Sequence, residues 1–349
     1  MKIAIDLQGI QSKGSRSRGI GRYSLEIVRN IIDKSKNHDI YLVSNPVLQD
    51  VKFEFSKELD LKNVFHFEWF SPCPLDYISK NITYDIAKIL RSYFFSCLQA
   101  DIILLTSYME GFADNCSTDF DKDLLSTPIT SIFYDLIPLI NPSLYFRDNH
   151  DFKRFYKSKI NNLNHFDGLL AISESSRSEA IKYLEFDSTN VYNISAACDK
   201  SIFNQNVQLN EINRLNYLNK FLLYTGASDP RKNLKGLLKA YSLLPADLKK
   251  YKLVLAGKLL NAEEALIKNW INIFEINVQD VVILGYVSDQ DLVYLYRNCS
   301  LFIFPSFHEG FGLPVLEAMC CGAPVIASNT TSIPEIICMK EAMFDPNNV

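Results

Sequence analysis

The sequence predicts an α/β protein made of two domains, each built around a mainly parallel sheet. Its 349 residues are enough for two cores, and 48% of them are apolar. Short apolar runs alternate with helix-like segments along the chain, as in βαβ units. A polar, asparagine-rich stretch at 204–219 interrupts the alternation. We therefore predict an N-terminal domain over 1–205 and a C-terminal domain over 206–349.

Strands are predicted where short runs are apolar, and helices between them. In the first domain the strands are 2–6, 40–43, 101–105, 130–134, 168–172 and 191–194, with helices at 22–35, 152–164 and 175–183. In the second domain the strands are 221–224, 253–256, 281–284, 301–304 and 324–327, with helices at 234–243, 263–270, 289–298 and 314–321. Because ligands of such sheets bind beyond the carboxyl ends of the strands, the residues that follow the strands are the site candidates.

Composition excludes several classes of protein. The net charge of -4 provides no basic field for nucleic acid. The eight cysteines show no C-x-x-C pair and no zinc-finger spacing, which favours a reducing, cytoplasmic location. The first residues do not form a signal peptide, and no apolar run approaches the ~20 residues that span a bilayer. The composition leaves peripheral contact with a membrane open.

The stretch PSFHEGFGLPVLEAMCCG at 305–322 carries the strongest functional signal. It follows an apolar strand, and Pro314 occupies a plausible first position of a helix. Gly312 lets backbone amides approach a ligand, and the positive end of the helix favours an anion. Glu309 and Glu317 can accept hydrogen bonds from sugar hydroxyls. Two glutamates eight residues apart occur often by chance, and Glu317 could be an ordinary acid in a first helical turn, but the whole string is much more specific.

This string resembles the E-x7-E signature of the family 4 retaining glycosyltransferases, in HEGFGLPVLEAM (308–319) and GAPVIAS (322–328). Similarity is weaker in GSRSRGIGRYS (14–24) and YDLIPL (134–139). The resemblance implies the GT-B fold, in which two Rossmann-like domains place their parallel sheets on either side of a central cleft.

The implied reaction moves a hexosyl group, such as a mannose-like sugar, from a nucleoside-diphosphate sugar to a glycan or lipid-linked acceptor. Anomeric configuration is retained, and the products are surface polysaccharides such as the O-antigen of lipopolysaccharide. The nucleotide sugar is a co-substrate, and the resemblance implies neither a metal nor a cofactor. A lipid-linked acceptor is consistent with peripheral attachment at the inner face of the membrane.

The resemblance also assigns catalytic residues. Glu309 would contact the transferred sugar, and Lys232 would neutralise the diphosphate. The family often has an arginine a few positions before this lysine, at about Gly226 or Ala227 here, and Arg231 is the candidate substitute. The structural alternative for Lys232 is a cation in a solvated turn.

Further residues are implied to bind the donor. Glu317 would bind the ribose, Val287 would lie beside the base, and the glycine loop before the first helix would close over the diphosphate. The backbone amides of three consecutive residues would contact the sugar and diphosphate. The residues of the glycine loop are Gly19 and Gly21, and the three consecutive residues of the signature are Phe311, Gly312 and Leu313. For the glycine loop, a simple capping turn is the alternative.

Three residues are candidates for the acceptor side. Glu110 follows a first-domain strand in TSYMEGF, and Tyr134 and Asp135 follow another in FYDLIPL. Tyr134 replaces a histidine that is common in the family. A turn-forming aspartate is the alternative for Asp135.

The motifs of other functions are incomplete in this sequence. In a nicotinamide oxidoreductase the G-x-G-x-x-G turn follows the first strand directly, but here Gly19 and Gly21 come late and Ser24 replaces the third glycine. The Asp119–Phe120–Asp121 triplet could suggest a metal-dependent glycosyltransferase, but we interpret it as a solvated loop. The alternative that is not an enzyme is an inactive relative that binds carbohydrate or serves as a scaffold.

The chain ends at DPNNV, shortly after a further expected strand. Glycosyltransferases of this type continue through additional helices. We therefore expect the sequence to be part of a longer chain.

Overall fold

The computed structural model describes residues 1–75, 82–208, 215–226 and 229–349. The chain divides into two compact units, Met1–Ser195 and Ala196–Val349. Part of the predicted linker at 204–219 lies outside the described residues, as does Ala227. Each unit contains one sheet of parallel strands, which confirms the predicted α/β class.

The first unit has a seven-stranded sheet in the order β3-β2-β1-β4-β5-β6-β7. Its strands are Lys2–Asp6 (β1), Asp39–Ser44 (β2), Val64–Glu68 (β3), Ile102–Leu105 (β4), Ile129–Phe133 (β5), Gly168–Ala171 (β6) and Val191–Asn193 (β7). Its helices are Gln8–Gln11 (α1), Gly19–Lys34 (α2), Ile82–Cys97 (α3), Ile137–Ile140 (α4), Pro142–Tyr145 (α5), His150–Leu163 (α6) and Glu174–Leu184 (α7).

The second unit has a six-stranded sheet in the order β10-β9-β8-β11-β12-β13. Its strands are Phe221–Thr225 (β8), Lys252–Ala256 (β9), Val281–Gly285 (β10), Leu301–Phe304 (β11), Val325–Ser328 (β12) and Met343–Phe344 (β13). Its helices are Leu234–Ser242 (α8), Asn261–Ile273 (α9), Asp289–Asn298 (α10), Leu313–Cys320 (α11) and Ile333–Ile336 (α12).

The apolar runs identify the central strands of both sheets. Strands buried on both faces read as nearly continuous apolar segments, which is why β1, β5, β8 and β11 could be found from the sequence. The apolar runs did not predict strand β3, which lies at the edge of the first sheet. Its sequence, VFHFE, contains two polar residues, and its apolar Phe65 is 42% exposed.

Parallel pairing brings the carboxyl ends of all strands in a unit to the same edge of its sheet. The residues that follow β8, β11 and β12 therefore converge in the second unit, and those that follow β1, β4 and β5 converge in the first. Among the described residues, no helix combines the length and the apolar character needed to cross a bilayer.

Asp119 corrects one prediction, because it does not lie in a solvated loop. Its carboxylate is buried, 3.0 Å from the ammonium group of Lys159, and accepts hydrogen bonds from the hydroxyls of Tyr84 and Tyr108. Burial raises the pKa of Asp119, but the Lys159 charge and these hydrogen bonds outweigh it and lower the pKa to about 2. Asp119 is thus buried in the first unit, whereas Phe120 and Asp121 are half-buried.

We predict that Asp119→Ala destabilises the first unit strongly. Removing one partner leaves the buried ammonium of Lys159 uncompensated, which costs about 3–5 kcal/mol of unfolding free energy. Chemical denaturation at neutral pH measures this loss. Asp123→Ala, at an exposed position four residues away, is the control and should change stability by less than about 0.5 kcal/mol.

The ion pair between Asp119 and Lys159 also predicts that the free energy of unfolding depends on pH. Because the folded pKa of Asp119 lies below its usual value of 3.8, its stabilisation is complete above that value and is lost as the pH falls through about 2. The difference in unfolding free energy between the wild type and Asp119→Ala should therefore shrink as the pH falls from 3.8 to about 2. An equally large difference at both pH values would show that the carboxylate is not ionised in the folded protein.

Candidate functional site

Two turns meet at the carboxyl edge of the second sheet, because the strands they follow are neighbours. One turn follows β8 and contains a short 3-10 helix, Pro230–Lys232; the other is the signature segment after β11. Asp229 begins the first turn by accepting a hydrogen bond from the amide of Arg231 at 3.0 Å. The carbonyl of Arg231 then accepts a bond of 2.7 Å from the amide of Phe307, which joins the two turns directly.

Glu309 forms ion pairs with both candidate cations. Its Oε1 lies 2.6 Å from Nζ of Lys232, and its Oε2 lies 2.7 Å from Nη1 of Arg231. The same Arg231 nitrogen donates to the carbonyl oxygen of His308 at 3.0 Å. The Lys232 ammonium also lies 4.8 Å from the centre of the Phe304 ring. The structure thus brings together the three residues to which the sequence assigned catalysis.

The ion pairs determine the charge states at this site. Burial alone raises the pKa of Glu309, but the charges of Arg231 and Lys232 lower it to about 2. Burial lowers the pKa of Lys232, and the Glu309 charge opposes that shift. Glu309 is therefore ionised at neutral pH and acts as a hydrogen-bond acceptor and a fixed negative charge.

Hydroxyl groups after β12 hold the backbone of the signature segment. The Ser332 hydroxyl lies 2.9 Å from the carbonyl oxygen of Glu309 and 2.6 Å from that of Phe311. The amide of Glu309 donates to the Thr331 hydroxyl at 3.1 Å. Sequence reasoning missed these residues. The signal was the polar run NTTS at 329–332, which directly follows the strand that neighbours β11.

Gly312 joins the signature segment to helix α11. Its φ of 110° lies in the region that glycine tolerates best, and a Cβ there would come within 2.5 Å of the Ile333 side chain. The helix begins at Leu313, so its first amides and the positive end of its dipole lie at this edge of the sheet. The side chain of Phe311 is buried, and the donor contacts assigned to the backbone amides of Phe311, Gly312 and Leu313 stay predictions.

Glu317 lies one turn further along α11 and is also buried. The hydroxyl of Tyr296 lies 3.4 Å from its Oε2 and 3.4 Å from the hydroxyl of Thr225. Val287 follows β10 and is half-buried against the core of the second unit. The ribose and base contacts assigned to Glu317 and Val287 stay predictions.

In the first unit, the glycine loop leads into a helix as expected, since α2 begins at Gly19. Gly21 packs so closely on the preceding turn that a Cβ would lie 2.5 Å from the Cα of Arg16. Its amide also donates to the carbonyl oxygen of Ser15 at 3.1 Å. Gly21 thus has a clear packing role, and diphosphate binding by this loop stays a prediction.

The carboxylate of Glu110 is buried and bonded within the first unit. It accepts hydrogen bonds from the hydroxyls of Ser15, in the glycine loop, and Ser107, after β4, the latter at 2.8 Å. Burial raises the pKa of Glu110, and the serine hydrogen bonds oppose that rise. Glu110 therefore ties the glycine loop to the segment after β4, and its contact with an acceptor stays a prediction.

The other two acceptor-side candidates follow β5. The Tyr134 hydroxyl lies 2.8 Å from the hydroxyl of Ser24 on α2 and donates to the carbonyl oxygen of Thr106 at 3.0 Å. Asp135 accepts a bond from the amide of Ile137 at 3.0 Å, which is the turn-forming geometry. Both residues help to position backbone at the carboxyl edge of the first sheet.

Comparisons with known proteins identify similar chains and similar structures. Residues 208–349 match the model of the family described as glycosyl transferases group 1. The serotype-specific mannosyltransferase WbdA of Escherichia coli is 34% identical over the whole chain, which covers 42% of that relative. The O-antigen chain mannosyltransferase B of E. coli is 35% identical over 62% of this chain and 57% of its own length. The chain thus spans about two fifths to three fifths of the length of these relatives.

Solved structures share the fold over nearly the entire chain. Anabaena Alr3699/HepE, in complex with UDP and glucose, aligns with a TM-score of 0.63 and 18% identity, covering 97% of this chain and 83% of that one. WaaG, a glycosyltransferase involved in lipopolysaccharide biosynthesis, aligns with a TM-score of 0.65 and 13% identity, covering 99% and 85%. The predicted fold is confirmed: the chain has the GT-B fold, and residues 208–349 match the family model of the glycosyl transferases group 1.

Proposed function

We propose that the chain is a glycosyltransferase that moves a hexosyl group, mannose or a similar sugar, from a nucleoside-diphosphate sugar to a glycan or lipid-linked acceptor during surface polysaccharide synthesis. The observation that carries the proposal is the pairing of Arg231 and Lys232 with the ionised Glu309. The names of the E. coli mannosyltransferase relatives support the sugar class, and the UDP and glucose bound to Alr3699/HepE support the donor class.

In the proposed reaction, the leaving diphosphate is stabilised by groups already in place. Lys232 and Arg231 supply positive charge, and the amides at the start of α11 supply hydrogen-bond donors. These groups act without reorganisation, since Glu309 and the bond between Phe307 and Arg231 already fix the turns. Two protein cations can neutralise the developing charge, which is why we propose that no metal takes part.

We further propose that anomeric configuration is retained by reaction on one face of the sugar. The bond from the anomeric carbon to the phosphate oxygen breaks while the acceptor oxygen bonds to the same face of that carbon. The acceptor proton passes to the departing phosphate. Glu309 is a poor proton donor because its pKa is about 2, and it serves to orient the sugar and the two cations.

We predict that Lys232→Ala and Glu309→Gln each abolish most sugar transfer while leaving the protein folded. Loss of the lysine removes charge stabilisation from the leaving group and should lower kcat by about 10²–10³-fold. Loss of the carboxylate removes the group that orients both cations. Transfer from a panel of nucleoside-diphosphate hexoses, with hydrolysis of the donor as a second readout, measures both effects.

Lys235→Ala is the matched control, because Lys235 is an exposed lysine only three residues from Lys232. Its transfer rate should equal that of the wild type. Wild-type rates in Lys232→Ala would refute the site, whereas donor binding without transfer or hydrolysis by the wild type would identify an inactive carbohydrate-binding relative.

A further inference from the structure

Ser332 holds two carbonyl groups of the signature segment at once. Its side chain is fully buried, and its hydroxyl donates to the carbonyl oxygens of Glu309 at 2.9 Å and of Phe311 at 2.6 Å. A hydroxyl has one proton, so the two carbonyls share it in a three-centre hydrogen bond. Ser332 is itself held, because its own carbonyl accepts a bond of 3.0 Å from the amide of Glu335. One buried side chain therefore sets the direction of two peptide groups.

The direction of a carbonyl determines the direction of the amide that follows it. Both peptide groups held by Ser332 precede a glycine and are trans, so the carbonyl and the amide of each group point in opposite directions. Holding the Phe311 carbonyl toward Ser332 thus turns the amide of Gly312 to the opposite side. Because Ser332 and its neighbour Ile333 are both fully buried, that side lies away from this part of the core.

Glycine leaves this direction poorly determined unless another group fixes it. Gly312 has no Cβ, so its φ can take either sign and the peptide group before it rotates easily. The observed φ of 110° is one of several values that glycine tolerates. A bond from a buried hydroxyl selects one orientation before a ligand arrives, which is the preorganisation that electrostatic stabilisation of a leaving group requires.

The sequence at the start of helix α11 makes the amide of Gly312 important. Pro314 has no amide hydrogen, and the amide of Val315 donates to the carbonyl oxygen of Gly312 at 2.9 Å. Gly312 and Leu313 carry the other two amides at the first positions of this helix. Binding of an anion at the helix start therefore depends on how these two amides point.

We propose that Ser332 is a positioning residue that aims the amide of Gly312 at the diphosphate of the sugar donor. It acts through the peptide group between Phe311 and Gly312 and does not itself contact the reacting atoms. The role rests on the proposed glycosyltransferase function, which supplies the donor. Binding of a nucleoside diphosphate nevertheless tests it without any transfer of sugar.

The test compares the affinities of the wild type, Ser332→Ala and Ser92→Ala for UDP and GDP, measured by calorimetry. Ser332→Ala should raise the Kd of the tighter-binding diphosphate about tenfold, the effect of one lost hydrogen bond to a charged group. Ser92→Ala is the matched control. Its hydroxyl is also fully buried and has two partners, the carbonyl of Lys88 and the amide of Asp121, but it lies in the first unit. Both substitutions should lower Tm, and only Ser332→Ala should change the Kd.

A second variant and a spectroscopic signal make the test independent of folding defects. Ser332→Cys keeps the shape of the side chain but replaces the hydroxyl by a weaker donor, so it should raise the Kd by less than tenfold. In protein carrying ¹⁵N-labelled glycine, UDP or GDP should shift the NMR signal of the Gly312 amide in the wild type and much less in Ser332→Ala. If Ser332→Ala does not fold, Ser332→Cys decides the outcome.

The positioning role and the proposed function fail in different ways. Wild-type Kd values in Ser332→Ala and Ser332→Cys, or equal losses in Ser332→Ala and Ser92→Ala, would overturn the positioning role. Absence of binding of both diphosphates by the wild type would overturn it as well. A wild type that binds a diphosphate with the help of Ser332 but transfers no sugar would retain the positioning role and lose the function.

Discussion

The arrangement of the second unit depends on the double ion pair of Glu309. A carboxylate with this degree of burial is unstable unless charges and hydrogen bonds compensate for the lost water, and Arg231 and Lys232 provide that compensation. The pairing in turn holds two cations close together, although they repel each other. A concentrated positive charge is thereby fixed where a parallel sheet and a helix start both favour an anionic ligand.

In the first unit, polar contacts between loops also hold distant segments of the chain together. Glu110 joins the glycine loop to the segment after β4 through the hydroxyls of Ser15 and Ser107, and Tyr134 joins the segment after β5 to α2. Segments far apart in sequence are thus fixed to one another at the carboxyl edge.

The sequence predicted the central strands well because strands buried on both faces have continuous apolar runs. It also predicted that Glu309 and Lys232 would share an edge, since each follows a strand of one parallel sheet. The direct ion pair between them could not be predicted, because it depends on β8 and β11 being neighbours. The roles of Ser332, the burial of Glu317 and the core position of Asp119 likewise depend on tertiary packing. Strand β3 escaped detection because its edge position relaxes the apolar pattern.

The most direct test of this account is the affinity for a nucleoside diphosphate without the sugar, measured by calorimetry with UDP and GDP. If Lys232 and Arg231 bind the diphosphate and Glu309 holds both cations in place, Lys232→Ala should weaken binding strongly. Glu309→Gln should weaken binding less, because both positive charges remain. Unchanged affinity in Lys232→Ala, or equal losses in both variants, would contradict the account.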